Sequence, residues 1–234
     1  MNRIVINLFT VIFLLAMALV PVWAQKAAGE IVDLIESGAI EVETIGNGIE
    51  SMQIRMRRTG TAVVTVQIPV GTFFLSNNNA AQNMVSRASR TVTLSSRNWV
   101  TVSVPAACAN RPRDIPGEDD TFQVTRAPQQ VALQRLMPKL RAAGAGFAVE
   151  QAAIWIITDN ANYEELGVLV ASQYAGIGGS RVIGPTQAVR AMQIVDAAEI
   201  DITEMAIWMD RDEIRAKLTP GSLRSWLDGR IRRQ

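Results

Sequence analysis

Cys108 is the single cysteine of the chain, and the sequence contains no histidine. The absence of histidine excludes a Ser-His-Asp triad, a His-ligated zinc site and histidine general-base catalysis. One cysteine also cannot form an internal disulfide. Cys108 is therefore predicted to be a buried inert thiol, part of an intermolecular disulfide, or consumed in another covalent bond.

Gln151 lies within the apolar segment 149–159, which has the pattern of a helix that is buried nearly all round. Its carboxamide is one turn before Trp155 on the same helix face. A buried carboxamide without partners costs a few kcal/mol, about 1–3 by mutational measures. We therefore expect another group to bond to Gln151 or to use it, and we expect Trp155 to lie in the core.

Three carboxylates follow tryptophans near predicted helix ends: Asp159 after Trp155, and Asp210 and Asp212 after Trp208. If they faced one cleft, they would form a pair of the kind that glycosidases use. As residues at helix termini, they are explained as caps with fewer assumptions.

Four further acids lie in the Pro-rich loop that follows Cys108. They are Asp114, Glu118, Asp119 and Asp120. Calcium prefers several carboxylates on a flexible loop, but the alternating Asp-Gly spacing of a calcium loop is missing here. A solvated acidic loop is the prediction, and neither a metal nor a cofactor is expected.

Apolar residues recur at every second position between residue 39 and about residue 125. For example, Met52, Ile54 and Met56 alternate with Gln53 and Arg55. Turn residues separate roughly six or seven runs of strand length. This pattern predicts an antiparallel β-sandwich of immunoglobulin-like size, preceded by a short helix at residues 27–37 that stops at Gly38.

From Pro128 onward the apolar spacing becomes helical, with a glycine-rich connector at residues 176–181. The expected arrangement is a compact bundle of about five or six helices. The predicted fold class is thus α+β, with an N-terminal β-sandwich at residues 25–127 and a C-terminal α-helical bundle at residues 128–234.

Residues 1–24 have the form of a secretory signal peptide, with Arg3 before an apolar run and a cleavage site after Ala24. The mature protein is expected to start at Gln25 and to be secreted, periplasmic or at the cell surface, without stable membrane insertion. Acids and bases balance once Arg3 is removed, and the basic patches lack aromatic residues. No nucleic-acid partner is therefore predicted.

The sequence Gln151-Ala-Ala-Ile-Trp155, with the lone Cys108 upstream, resembles the glutamine motif of bacterial surface thioester domains. The chain departs from that pattern at Glu150, where the family commonly has threonine. In this family, a cysteine sulfur and a glutamine acyl carbon are joined into an internal thioester that reacts with host amines. The resemblance implies that Cys108 supplies the sulfur, that Gln151 supplies the acyl carbon, and that Trp155 packs beside the bond.

Together these features predict an exported, non-enzymatic binding or adhesion module whose partner is an unknown protein or surface ligand. One alternative is a covalent adhesin that acylates partner amines through a Cys108–Gln151 thioester. A second alternative is a hydrolase that uses carboxylates alone, drawn from Asp159, Asp210 and Asp212. The oligomeric state stays open.

Overall fold

The computed structural model describes residues 27–111, 113–127, 129–167 and 183–233. The predicted signal peptide, residues 1–24, and the predicted connector, residues 176–181, lie outside the described residues. Among the helices of the described ranges, none is both long enough and apolar enough to cross a membrane.

Nine strands lie in the N-terminal part of the described chain. They are β1 (Ala27–Glu30), β2 (Ile40–Gly46), β3 (Ser51–Arg58), β4 (Val64–Ile68), β5 (Thr72–Ser76), β6 (Asn83–Ser86), β7 (Arg90–Leu94), β8 (Val100–Ala109) and β9 (Phe122–Arg126). Along β3, Met52, Ile54 and Met56 are fully buried, and Gln53 and Arg55 are partly exposed. The two-residue period therefore separates a core face from an outer face.

Six strands form one antiparallel sheet in the order β2-β3-β8-β6-β5-β9. The two edge strands of this sheet approach each other. Ile45 forms a bridge with Thr121, and the Gly46 N–H donates a hydrogen bond to the carbonyl oxygen of Asp120 (3.0 Å). The sheet is consequently a nearly closed barrel with its apolar side chains inside.

A smaller sheet contains three strands in the order β1-β4-β7, and its β1–β4 pair is parallel. Helix α1 (Ile31–Glu36) follows β1 directly and contacts strands of both sheets. The helix predicted at residues 27–37 therefore begins later than expected, because residues 27–30 pair with β4. Gly38 follows its end with φ +68°, a conformation that glycine adopts easily.

Seven further helices follow the barrel in the described ranges. They are α2 (Gln130–Ala142), α3 (Phe147–Thr158), α4 (Tyr163–Leu166), α5 (Pro185–Ala197), α6 (Ala206–Met209), α7 (Arg211–Lys217) and α8 (Ser222–Ile231), with a 3-10 helix at Ile202–Glu204. Helix α3 contacts α2 and α5 and also packs against β8. Every residue of α3 from Gln151 to Ile157 is buried.

The predicted fold, an antiparallel sandwich followed by a separate helical bundle, is wrong. The structure is a mixed α/β fold in which the larger sheet curls until β2 meets β9, and the smaller sheet contains a parallel pair. The helices do not form an independent bundle, because α3 lies on the barrel. In β8 this packing ends the alternation of burial, so that the last residues, 106–109, are all buried.

The contact that closes the barrel can be tested at Gly46. A Cβ atom there would lie against the carbonyl oxygen of Gly117 and 2.9 Å from Cβ of Pro116. We expect Gly46→Ala to lower the free energy of unfolding by about 1–3 kcal/mol, because the loop leading to β9 would have to move. Gly60→Ala, which meets no atom within 4 Å, is the matched control and should change it by less than about 0.5 kcal/mol. Urea denaturation measures both variants, and equal effects would show that this contact is loosely packed.

Candidate functional site

Gln151 and Cys108 lie in direct contact at the interface between α3 and β8. The backbone N–H of Cys108 donates a hydrogen bond to Oε1 of Gln151 (3.1 Å), and Nε2 of Gln151 donates to the carbonyl oxygen of Cys108 (2.7 Å). The two residues are 3 % and 1 % exposed. The structure thus brings together the two residues that the sequence singled out. The contact is between the side chain of Gln151 and the backbone of Cys108.

The end of β3 explains why the backbone of Cys108 needs this partner. Strand β3 pairs with β8 only as far as Ser51, opposite Pro105, and the carbonyl oxygen of Glu50 accepts the next hydrogen bond from the N–H of Ala106 (2.8 Å). Beyond that point β8 continues without β3. The carboxamide of Gln151 occupies the place of the missing strand and satisfies two buried backbone groups, which would otherwise cost about 1–3 kcal/mol each.

One face of α3 follows the end of β8 over two turns. Gln151, Trp155 and Asp159 are spaced four residues apart, so they lie on the same side of the helix. The indole ring of Trp155 lies 4.7 Å from the guanidinium of Arg111. Oδ2 of Asp159 accepts a hydrogen bond from the backbone N–H of Asn110 (3.2 Å). The helix is therefore held to the strand by successive contacts.

Trp155 is 2 % exposed, and its indole N–H has no hydrogen-bond acceptor among the described residues. The prediction that Trp155 lies in the core agrees with this burial. A buried donor without an acceptor is uncommon and costs about 1–3 kcal/mol. The indole N–H is thus a polar group of the α3–β8 interface that the described residues leave unbonded.

Arg87 is a residue of this site that sequence reasoning missed. Its guanidinium donates hydrogen bonds to the carboxylate of Glu150 and to the carbonyl oxygen of Ala106 (2.9 Å), and it lies 5.5 Å from the ring of Phe147. The first turn of α3 is thereby tied to β8. Arg87 follows β6 in a polar turn, and no local pattern distinguishes it from a solvated arginine.

Burial governs the electrostatics of the site. Desolvation raises the pKa of the Cys108 thiol to about 12, so the thiol is protonated and poorly nucleophilic at neutral pH. Desolvation also raises the pKa of Asp159, against the opposing effect of hydrogen bonds from Thr158 and from the backbone of Arg111 and Asn110. The environment of Cys108 favours uncharged groups.

A cleft of about 190 Å³ adjoins this interface and is lined by Arg111, Asp159, Ala161 and Glu165. Glu165 belongs to a capping box with Asn162 at the start of α4. A larger depression of about 630 Å³ is lined by residues 47–49 and 115–118 and does not include Cys108 or Gln151.

The three carboxylates considered for hydrolysis do not line a common cleft. Asp159 lines the small cleft beside α3, whereas Asp212 lines a different depression on α7 and α8. Asp210 accepts a hydrogen bond from the backbone N–H of Tyr163 (2.8 Å) at the start of α4. The contact of Asp210 is that of a capping residue, whereas the carboxylate of Asp159 accepts the N–H of Asn110 in the turn after β8.

The acidic loop after β8 shows internal hydrogen bonding. The two carboxylate oxygens of Asp120 accept hydrogen bonds from the backbone N–H of Gly117 and from Nδ2 of Asn78, both at 2.8 Å. Among the described residues, which include Asp114, Glu118 and Asp119, no group of three or more acidic or cysteine side chains is arranged to hold a metal ion.

Comparisons of this chain with protein-family models, with curated proteins and with solved structures give no match. Function is therefore inferred from the geometry around Cys108 and Gln151.

Arg87 joins the first turn of α3 to β8, and this clamp leads to a prediction about stability. Arg87→Ala leaves the carboxylate of Glu150 and the carbonyl oxygen of Ala106 without this donor, in surroundings where both side chains of the pair are less than one-fifth exposed. We expect the free energy of unfolding to fall by about 1–3 kcal/mol. Arg126→Ala, which removes an exposed ion pair with Asp33, is the control and should have a much smaller effect. Equal losses in urea denaturation would contradict the clamp.

Proposed function

We propose that this chain is an exported covalent binding module in which Cys108 and Gln151 form an internal thioester that captures a primary amine of its partner. The observation that carries the proposal is the burial of Gln151 against the only cysteine of the chain, whose backbone N–H and C=O bond the carboxamide at 3.1 and 2.7 Å. The partner is a protein or surface ligand with an accessible amine. The export signal at residues 1–24 belongs to the same proposal.

Formation of the bond requires no external oxidant or reductant. Sγ of Cys108 attacks the carboxamide carbon Cδ of Gln151, a C–S bond forms and the C–N bond breaks. Ammonia leaves with the proton of the thiol. The hydrogen bond from the N–H of Cys108 to Oε1 polarises the carbonyl and stabilises the negative charge that develops on the oxygen during attack.

Capture of an amine reverses the roles of nitrogen and sulfur. The uncharged amine attacks Cδ of Gln151, the C–S bond breaks, and the sulfur takes up a proton that the amine nitrogen loses. The product is an amide between Gln151 and the partner, together with a free Cys108 thiol. The raised pKa of that thiol, about 12, favours the protonated sulfur at the end of the reaction.

Burial of the pair favours a thioester over an intermolecular disulfide. A thioester is uncharged and survives only where water is excluded, and both residues are at most 3 % exposed. An intermolecular disulfide would need a sulfur that another chain can reach. A buried inert thiol fits the burial equally well, because the hydrogen bonds of Gln151 to the Cys108 backbone already account for a glutamine at this position of α3.

The basic residues of the chain are also compatible with an amine-reactive group. Only Lys26, Lys139 and Lys217 are lysines, and the other basic residues are arginines. Lysine carries the primary amine that would attack a thioester, whereas the arginine guanidinium stays protonated and is a poor nucleophile. The two lysines that the structure describes lie on α2 and α7, and Nζ of Lys217 lies 5.2 Å from the ring of Tyr163. With three lysines, the chain offers few amines of its own to a thioester.

Intact mass of the freshly prepared mature protein tests the proposal. The wild type should be lighter than its sequence mass by one ammonia, and methylamine should add covalently at Gln151. Cys108→Ala is the main control, because it keeps the backbone N–H and C=O that bind Gln151 while removing the sulfur. Both Cys108→Ala and Gln151→Ala should have their full sequence mass and should not react with methylamine.

Two further results distinguish a thioester that formed and then hydrolysed from one that never formed. Conversion of Gln151 to glutamate in the peptide map would show that a thioester had formed and hydrolysed. A wild type of full sequence mass that retains glutamine at position 151, with one thiol titrated after unfolding, would exclude the thioester. The protein would then be better described as a non-covalent binding module.

A further inference from the structure

The burial of the Cys108–Gln151 pair creates a problem of access. Cys108, Gln151 and Trp155 are each at most 3 % exposed, so no nucleophile reaches the acyl carbon of Gln151 while every side chain stays in place. A reactive group in such a position needs a neighbour that can move aside. The groups that surround α3 indicate which neighbour this is. The inference rests on the proposed function.

A small cleft adjoins the α3–β8 interface. It has a volume of about 190 Å³ and includes Asp159, which lies on the same helix face as Gln151 and Trp155. Helix α3 also packs against α2, α5 and β8, and the partly exposed ion pair of Arg87 and Glu150 lies at its first turn. Separating the packed elements would cost several kcal/mol, and losing the contacts of Arg87 would cost about 1–3 kcal/mol.

Arg111 lies between this cleft and the indole ring of Trp155. Its guanidinium is 4.7 Å from the ring, and its charge interacts with the carboxylates of Glu165 and Asp159. A cation over an aromatic ring contributes about 0.5–2 kcal/mol, and a partly exposed ion pair contributes about 1 kcal/mol or less. Displacing the Arg111 side chain would uncover the ring of Trp155 on the side of the cleft.

Hydrogen bonds fix the backbone at Asn110, directly before Arg111, so that movement is confined to the Arg111 side chain. Asn110 has φ +54°, its N–H donates to Asp159 and its Oδ1 accepts a hydrogen bond from the N–H of Asn83 (2.6 Å). These contacts fix the turn that directly follows Cys108 and Ala109. The long side chain of Arg111 can change rotamer without disturbing them.

We propose that the cleft between Arg111 and Glu165 is the entry route for the attacking amine, and that the Arg111 side chain is the cover that controls access to Gln151. The narrow cleft suits an unbranched primary amine such as a lysine side chain. Its two carboxylates attract the ammonium form, which releases a proton before the free amine attacks Cδ and displaces the sulfur. The same cover slows hydrolysis, because water enters by the same route.

Hydroxylamine, a small nucleophile that is largely uncharged at pH 7, tests this cover in the full-length mature protein. The measurement is the rate at which its adduct appears at Gln151. Arg111→Ala should raise the rate by about tenfold, and Arg111→Lys, which keeps a cation over Trp155, should stay within about twofold of the wild type. Arg113→Ala, on the same loop but exposed, is the matched control and should leave the rate unchanged. Arg111→Gln, which keeps part of the stem, replaces Arg111→Ala if the latter has a lower unfolding midpoint.

The outcomes separate the cover from the thioester itself. If hydroxylamine reacts with the wild type and with Arg111→Ala at the same rate, the cover is disproved while the thioester stands. If the wild type has its full mass and never reacts, the proposed function fails, and iodoacetamide labelling of the free Cys108 thiol takes over as the readout. Faster labelling of Arg111→Ala than of the wild type and of Arg113→Ala would support the same route, and equal labelling would overturn it.

Discussion

Two backbone groups of Cys108 determine how the barrel and the helices fit together. Strand β8 continues past the end of β3, so the N–H and C=O of Cys108 face a position where no strand follows. Water does not satisfy them, because the end of β8 is buried. The carboxamide of Gln151 presents an N–H donor beside a C=O acceptor, as a peptide group does, and it satisfies both backbone groups. Helix α3 must therefore lie against the barrel, which places the barrel and the helices in one continuous core.

Contacts at both ends of α3 fix its position along the strand. Arg87 ties Glu150, in the first turn of the helix, to the barrel, and Asp159 receives the N–H of Asn110 just after its last turn. A shift of α3 by one residue would rotate its side chains by about 100°. Both end contacts and the central hydrogen bonds of Gln151 would then be lost together. The polar contacts thus select one register for an interface whose remaining area is apolar and non-directional.

The sequence predicted the residues of the site better than the fold that holds them. An apolar helix with an embedded glutamine was recognisable at residues 149–159, and the structure has α3 at Phe147–Thr158. The need of Gln151 for a partner was also recognisable, but the partner is a backbone group of Cys108, and a backbone group has no signature in the sequence. Arg87 was missed for a similar reason, since its role depends on Glu150, which is distant in the chain.

The incorrect fold prediction has a physical cause of the same kind. A two-residue period shows which side chains face the interior, but it carries no information about which strand edges pair. The bridge between Ile45 and Thr121 closes the barrel across a long separation in sequence, and the β1–β4 pair is parallel. Neither pairing changes the alternation of apolar and polar residues along the strands involved. A sandwich and a barrel are therefore compatible with similar sequence patterns, and only the contacts between strand edges distinguish them.

Protection and reactivity impose opposite demands on the proposed thioester. The core around Cys108 excludes water and favours uncharged species, and the same core would block every partner if it were apolar on all sides. In the described part of the chain this site has a polar boundary at each end of α3, with Arg87 and Glu150 at the first turn and Arg111 over Trp155 beside the cleft. At the second boundary the indole N–H of Trp155 lacks an acceptor among the described residues. A covalent binder built on this chain would therefore open at Arg111, because an incoming oxygen or nitrogen atom there offers the indole the partner that it lacks.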